Sequence, residues 1–360
     1  MKNDPTTPGA ARWPALKGGV LALGAAALFG VSTPLVQRAG SGLGAFTTAA
    51  LLYGGAALVG ALVRRPVERE AKVRRADAPR LAWMALSGAA IGPAALAWGL
   101  QHTSGTSASL MLALEALFTA LLARGFYGEA MDRRVWLALL LLMAGGIVLV
   151  LERGSAGGPQ LWGLLAVLLA TAAWGVDNTL SRTLAERDPG QVVMLKSLLG
   201  AVATLALAFA MKEPVPALRQ ALALLAIGAT GYGLSLRLYL LAQRAFGAAR
   251  TGSVFAFAPF IGAVLAVVLG DRGPGLGTVA GGVLMLAGVA LHLAESHGHE
   301  HAHDALEHEH AHTHDDDHHG HDHDHDHDPL PAGPHSHRHR HEPGRHAHPH
   351  VPDAHHTHRH

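Results

Sequence analysis

The 360-residue chain has no cysteine. That excludes disulfides and thiolate metal sites, and it leaves the redox compartment unread. Net charge is scarce too: 28 Lys and Arg nearly balance 27 Asp and Glu, so the balance implies no nucleic-acid partner. Neither a phosphate-binding loop nor a zinc-protease motif (His-Glu-x-x-His) is expected. Nothing therefore points to an ATP-driven pump or to an enzyme of any kind. Residues 297–360 contain almost no large apolar side chains, yet they hold 25 of the 27 histidines.

The front of the chain is the opposite in composition. Ala, Leu, Gly and Val dominate, and a membrane-spanning helix needs about 20 mostly apolar residues. Ten runs meet that need, at about 18–37, 44–63, 81–100, 104–126, 135–151, 161–181, 191–211, 219–242, 249–269 and 276–294. Run length and composition favour helix over strand, and a helix satisfies its own backbone in lipid. Pro34, Pro93 and Pro259 fall inside runs, which membrane bundles tolerate because neighbours or water re-satisfy the freed carbonyls. The fold class expected is all-α integral membrane with ten helices. Residues 1–17 form a cytoplasmic flank, and the first run reads as a retained helix rather than a cleaved signal.

Basic residues orient the bundle. With the N-terminus cytoplasmic, inner segments carry 17 Lys and Arg and outer loops carry 5. The segment from Arg64 to Arg80 dominates. An even helix count then places the tail in the cytoplasm as well, in a cytoplasmic or inner membrane.

The chain is also a duplication. Phe29-Gly30-Val31-Ser32-Thr33 is echoed by Trp174-Gly175-Val176-Asp177-Asn178, 145 residues on. Ala144-Gly145 through Glu152 is echoed by Ala287-Gly288 through Glu295, and Gly128-Glu129 by Gly270-Asp271. Two repeats follow, 18–151 and 161–294. Five helices each is an odd number, so the halves sit inverted in the membrane, a plan common among secondary transporters.

The segments 114–129 (LEALFTALLARGFYGE) and 257–271 (FAPFIGAVLAVVLGD), with LLMAGGIVLV and GGVLMLAGVAL following them, resemble the drug/metabolite transporter superfamily, in particular its EamA-type members. The AAWGVDN of the sixth run resembles that family's Trp-Gly pattern. Ala116 stands where the family often has proline, Phe29 where it usually has tryptophan, and Asp271 where it usually has glutamate. The resemblance implies a central cavity and alternating access, with substrates ranging from amino acids to nucleotide sugars and drugs.

Four ionisable residues lie within the runs: Glu115, Asp177, Lys196 and Arg237. A charge at the bilayer centre costs about 2.5–3.5 kcal/mol on insertion scales, so such residues face a cavity, a partner or an interface. Glu115 reads as a proton- or cation-binding carboxylate, or as a packing residue. Asp177, Asn178 and Trp174 read as one cavity face, or Asp177 as the partner of Lys196 or Arg237 in an ion pair. Lys196 and Arg237 read as cavity residues or as side chains that snorkel to the inner interface. His102 and His292 are isolated. Gly277 and Gly281 are spaced for close helix packing.

The tail alternates histidine with acid. His308, His310, His312, His314, His319, His321, His323, His325 and His327 are the candidate ligands for Zn, Ni or Co. Its composition cannot bury a core, so it is expected to be disordered without metal. No cofactor is required by the front.

These features converge on a secondary-active exporter of a small metabolite or drug-like solute whose cytoplasmic tail binds divalent metal. Two alternatives stand beside it. One is a divalent-metal exporter whose tail collects ions; the other is a membrane-anchored metal buffer or sensor. The partners expected are the lipid bilayer, a small solute, divalent metal ions and a second copy of the chain in a homodimer.

Overall fold

The computed structural model describes residues 12–63, 72–127, 131–154, 158–184, 187–246, 248–271 and 274–293, together with 298–303, 306–312, 335–341 and 344–349 of the tail. Ten spans make the bundle. The first repeat holds α1 (Arg12–Ala39), α2 (Ala45–Leu62), α3 (Arg75–His102), α4 (Gly105–Tyr127) and α5 (Arg133–Gly154). The second holds α6 (Gly158–Ser181), α7 (Pro189–Ala210), α8 (Leu218–Gln243), α9 (Thr251–Val268) and α10 (Leu276–Leu293).

Among the described residues nine helices are long and apolar enough to cross a membrane, and α10 is a shorter apolar helix. The perimeter exposes large apolar side chains such as Leu62, Phe126, Trp162 and Val264. Large apolar side chains exposed in that number on apolar helices match lipid rather than water. The protein is a multi-pass membrane protein.

Local sequence sets the helix ends. The Ser104 side chain accepts a hydrogen bond from Ser107 N at the start of α4. Asp188 does the same for Gly190 N ahead of Pro189 in α7. Each satisfies a backbone donor the helix cannot.

The repeats are visible in the packing. α2 lies on α7, α4 on α9 and α5 on α10. α1 lies on α8 as α6 lies on α3, and α1 touches α9 as α6 touches α4. Exchanging the two repeats leaves this pattern unchanged. Glycines allow the close crossings: a Cβ at Gly228 would overlap the Leu52 carbonyl oxygen, and one at Gly281 would lie 2.9 Å from that of Gly145.

Two irregularities recur in both repeats. α3 contains a π-helical segment, Ala85–Ile91, and α8 contains one at Gly228–Leu234, each endpoint 143 residues further on. In α3 the wide turn precedes Pro93, whose ring would clash with the carbonyl four residues back in a regular helix. In α8 the segment holds three glycines, Gly228, Gly231 and Gly233. The second irregularity is a two-residue break. It falls at 112–113 in α4 and at 256–257 in α9. Pro259 sits in the first turn after the α9 break, where a missing N–H costs nothing. The α4 break occurs without a proline.

The described parts of the tail are four short strands. β1 (Gly298–His303) pairs antiparallel with β4 (Gly344–Pro349), and β2 (Leu306–His312) with β3 (His335–His341). The alternation of histidine with other residues is itself a period-two pattern, which is that of a strand. Two-stranded ribbons without an apolar face are marginal in water, so the composition argument against a buried core still holds. His314, His319, His321, His323, His325 and His327 lie outside the described residues.

Candidate functional site

The charged residues of the runs fall into one cluster and one outlier. Asn178 of α6 donates to Glu115 Oε1 of α4 at 2.5 Å. Gly175 permits this approach, since a Cβ there would lie 2.7 Å from the Phe118 Cβ. Glu115 is in the first turn after the α4 break. A carboxylate is favoured at that position because the exposed amides there carry partial positive charge. Glu115 is half-buried, and among the described residues no side chain donates to its second oxygen.

Asp177, on the same turn of α6, pairs with Lys196 of α7. Their side chains are 6% and 4% exposed. Lys196 therefore does not reach an interface as its snorkelling reading required. It makes instead the ion pair that the structural reading of Asp177 required. Asp177 Oδ1 is buried without a hydrogen-bond partner among the described residues. Asp177 and Lys196 both lie within electrostatic reach of Glu115. Arg237 is the outlier: it donates to the Val63 carbonyl at the C-terminal end of α2.

Trp174 closes one side. Its indole N–H donates to the Gly88 carbonyl at 2.9 Å, and the Tyr53 hydroxyl donates to the same oxygen. Gly88 sits inside the α3 π segment, and its bareness admits Asp177, whose side chain a Cβ at 88 would overlap.

Aromatic rings from five helices fill the centre. Phe29 packs on Trp174, Tyr232 and Phe255 with ring centroids 5.8, 5.7 and 5.4 Å apart. Tyr53 packs on Tyr232 at 5.5 Å and Tyr239 on Phe255 at 5.0 Å. Tyr232 and Tyr239 are within electrostatic reach of Glu115. The Tyr232 hydroxyl, buried beside Ser32, makes no hydrogen bond of acceptable geometry among the described residues. The sequence pointed to Trp174 but not to Tyr53, Gly88, Tyr232, Tyr239 or Phe255. The π segments that align them leave no periodic signature.

Three carboxylates tie the repeats together at one end of the bundle. Glu213, just past α7, accepts from Phe46 N at 3.1 Å, Thr47 N at 2.6 Å and Thr47 Oγ1 at 2.7 Å. Asp271, just past α9, accepts from Thr106 N at 2.8 Å and Thr106 Oγ1 at 2.7 Å. Glu152 of α5 accepts from Gly277 N at 3.0 Å and from the Thr278 hydroxyl. Each caps a helix of the opposite repeat. At the other end Asp77 pairs with Arg187 at 3.1 Å and Val73 N donates to Gln191 at 2.9 Å.

The tail ligands form no described cluster. Among the described residues no group of three His, Cys, Asp or Glu could hold a metal ion. The pattern His-Glu-x-x-His does occur, at His299–His303 and at His308–His312, and both runs are strands. Zinc-protease chemistry needs those histidines one turn apart on a helix. In a strand they are separated by about 13 Å, so no such site forms.

A profile of the EamA-like transporter family matches residues 16–151 and again residues 161–294. An uncharacterized transporter of Methanothermobacter thermautotrophicus is 28% identical over 235 residues, covering 63% of this chain and 68% of that one. A probable terminal-alkyne amino-acid exporter of Streptantibioticus cattleyicolor is 31% identical over 240 residues, covering 64% of this chain and 75% of that one. One solved crystal structure superposes with a TM-score of 0.56 at 20% identity, over 78% of this chain and 95% of the other; at that identity the likeness carries the fold alone.

Proposed function

The chain belongs to the EamA-like transporter family, and from that premise we propose that it exports a small metabolite or drug-like solute by alternating access through the interface between its repeats. The observation that carries this reading is the Glu115–Asn178 contact beside the Asp177–Lys196 pair. It sets ionisable groups of both repeats in one place, next to a break in a helix. Discontinuous helices at a repeat interface are where secondary transporters bind solute. The relative from Streptantibioticus cattleyicolor, an amino-acid exporter by name, favours a small polar solute over a macromolecule or a lipid.

In this reading Glu115, Asp177, Asn178, Trp174 and Lys196 line the transport site, with Glu115 binding a proton or cation. Arg237 holds the inner end of α2. Both termini are cytoplasmic in a cell inner membrane, and the three carboxylate caps hold the outer ends of the helices together.

The tail binds divalent metal. Its strand register sets histidine opposite histidine at His299–His348, His301–His346, His308–His339, His310–His337 and His312–His335. Opposite residues of a ladder have Cβ atoms about 4.5–5.5 Å apart, which suits two imidazoles on one ion. The test is flux in proteoliposomes carrying the full chain or a chain ending at Leu293. Export of a metabolite that persists without the tail supports the reading. Metal flux lost with the tail would replace it by metal export, and no flux at all by metal buffering.

A further inference from the structure

We propose that the solute bound at Glu115 is an organic ammonium ion of single positive charge, seated against the aromatic cluster of Phe29, Trp174, Tyr232, Tyr239 and Phe255. The inference rests on the transport-site reading above and adds the chemical class of the solute.

Charge balance comes first. Among the described residues the cluster contains two carboxylates, Glu115 and Asp177, and one ammonium, Lys196. Lys196 is committed to Asp177, so the pair is neutral. Glu115 is left with a single neutral amide as partner. A carboxylate in a low-dielectric site is neutralised by a proton or balanced by a cation, and an ammonium solute would take the cation's place. An anionic solute would meet Glu115 with the same sign of charge. A zwitterion would need a cation for its own carboxylate, and Lys196 is already occupied.

The surroundings supply the second argument. Five rings from α1, α6, α8 and α9 pack on one another, and two of them, Tyr232 and Tyr239, lie within electrostatic reach of Glu115. The faces of aromatic rings attract ammonium groups, and the attraction grows when the site is dry. The Tyr232 side chain is buried in this cluster with its hydroxyl unpartnered among the described residues. In a state opened to admit the solute, that oxygen can accept from an ammonium N–H. Carboxylate, ring faces and phenol oxygen together favour an N–H-bearing cation with an apolar body.

The experiment uses the full chain in lipid nanodiscs near neutral pH and four probes of similar shape: phenethylammonium, 2-phenylethanol, phenylacetate and phenylalanine. Calorimetry should give saturable binding of phenethylammonium, tighter by about tenfold or more than each of the other three. Glu115→Gln should remove that advantage. Equal binding of the neutral alcohol or of the zwitterion overturns the proposal. So does failure of phenethylammonium to bind, or an advantage that survives in a folded Glu115→Gln protein. If Glu115→Gln does not fold, the four-probe comparison on the unaltered chain decides alone. Flux separates the two readings. A metabolite exported without preference for ammonium leaves the exporter standing and removes this inference. Selective ammonium binding without flux does the reverse.

Discussion

The Asn178 amide donates to the Glu115 carboxylate at 2.5 Å across the boundary between the two repeats. Among the described residues it is shorter than the other hydrogen bond between α6 and α4, from the Tyr127 hydroxyl to the Thr179 carbonyl at 3.0 Å. Removing the amide while keeping the fold isolates its part. Asn178→Ala should lower export of the true solute at least several-fold while the protein still elutes as a folded species. Unchanged flux in that variant would reduce the contact to packing.

The Asp177–Lys196 pair is nearly fully buried. Truncating one member of such a pair leaves an uncompensated charge and costs about 3–5 kcal/mol. Lys196→Met alone should therefore sharply lower the unfolding temperature in detergent. Asp177→Asn together with Lys196→Met should recover most of the loss. Equal damage from the single and double variants would contradict the pairing.

Glu213 holds the start of α2 through three hydrogen bonds. Loss of a cap costs about 0.5–2 kcal/mol. The chain has no cysteine, so Leu43→Cys provides a single label at a buried site beside that helix start. Glu213→Ala should make this thiol react faster with a polar maleimide added from outside. A rate unaffected by the cap would show that Glu213 does not hold this end closed.

Zinc, nickel or cobalt should bind at more than one site to the full chain and to none of those sites in a chain ending at Leu293. Imidazole binds metal only when neutral, so affinity should fall as pH drops through about 6.5. Calorimetry at about pH 7.5 and about pH 5.5 reads this directly. Equal affinity at both values would argue against histidine ligation.

A reporter fused after Leu293 should report a cytoplasmic location, given the 17-to-5 distribution of basic residues. An external signal would place an odd number of crossings before that point.

Much of the bundle was legible because lipid imposes a simple rule: a spanning segment is long, apolar and helical. The repeats were legible from short echoes, and two of these now have a physical meaning. Gly270-Asp271 and the run ending at Glu152 carry the carboxylates that cap α4 and α10. Glu115, Asp177 and Lys196 stood out because charge is rare in such runs. The aromatic centre did not stand out, since an aromatic residue in an apolar run is ordinary. The π segments and the α4 break were also hidden. Pro93 and the glycines of α8 are ordinary in apolar runs and no proline marks the α4 break, while the fit of Gly88 against Asp177 is not local in the sequence.

The matched π segments bear on how the chain was assembled. A π turn is a helix with one surplus residue in its ladder. The two surplus residues stand at the same place in both halves, which is what a single insertion followed by copying would leave behind. On that account the wide turn would precede the ten-helix chain and come from an ancestor of five helices. Such an ancestor could complete the fold only by pairing with an oppositely inserted copy of itself, and its site would have been symmetric. Ser32 and Asp177, now unlike, would once have been the same residue facing the same turn.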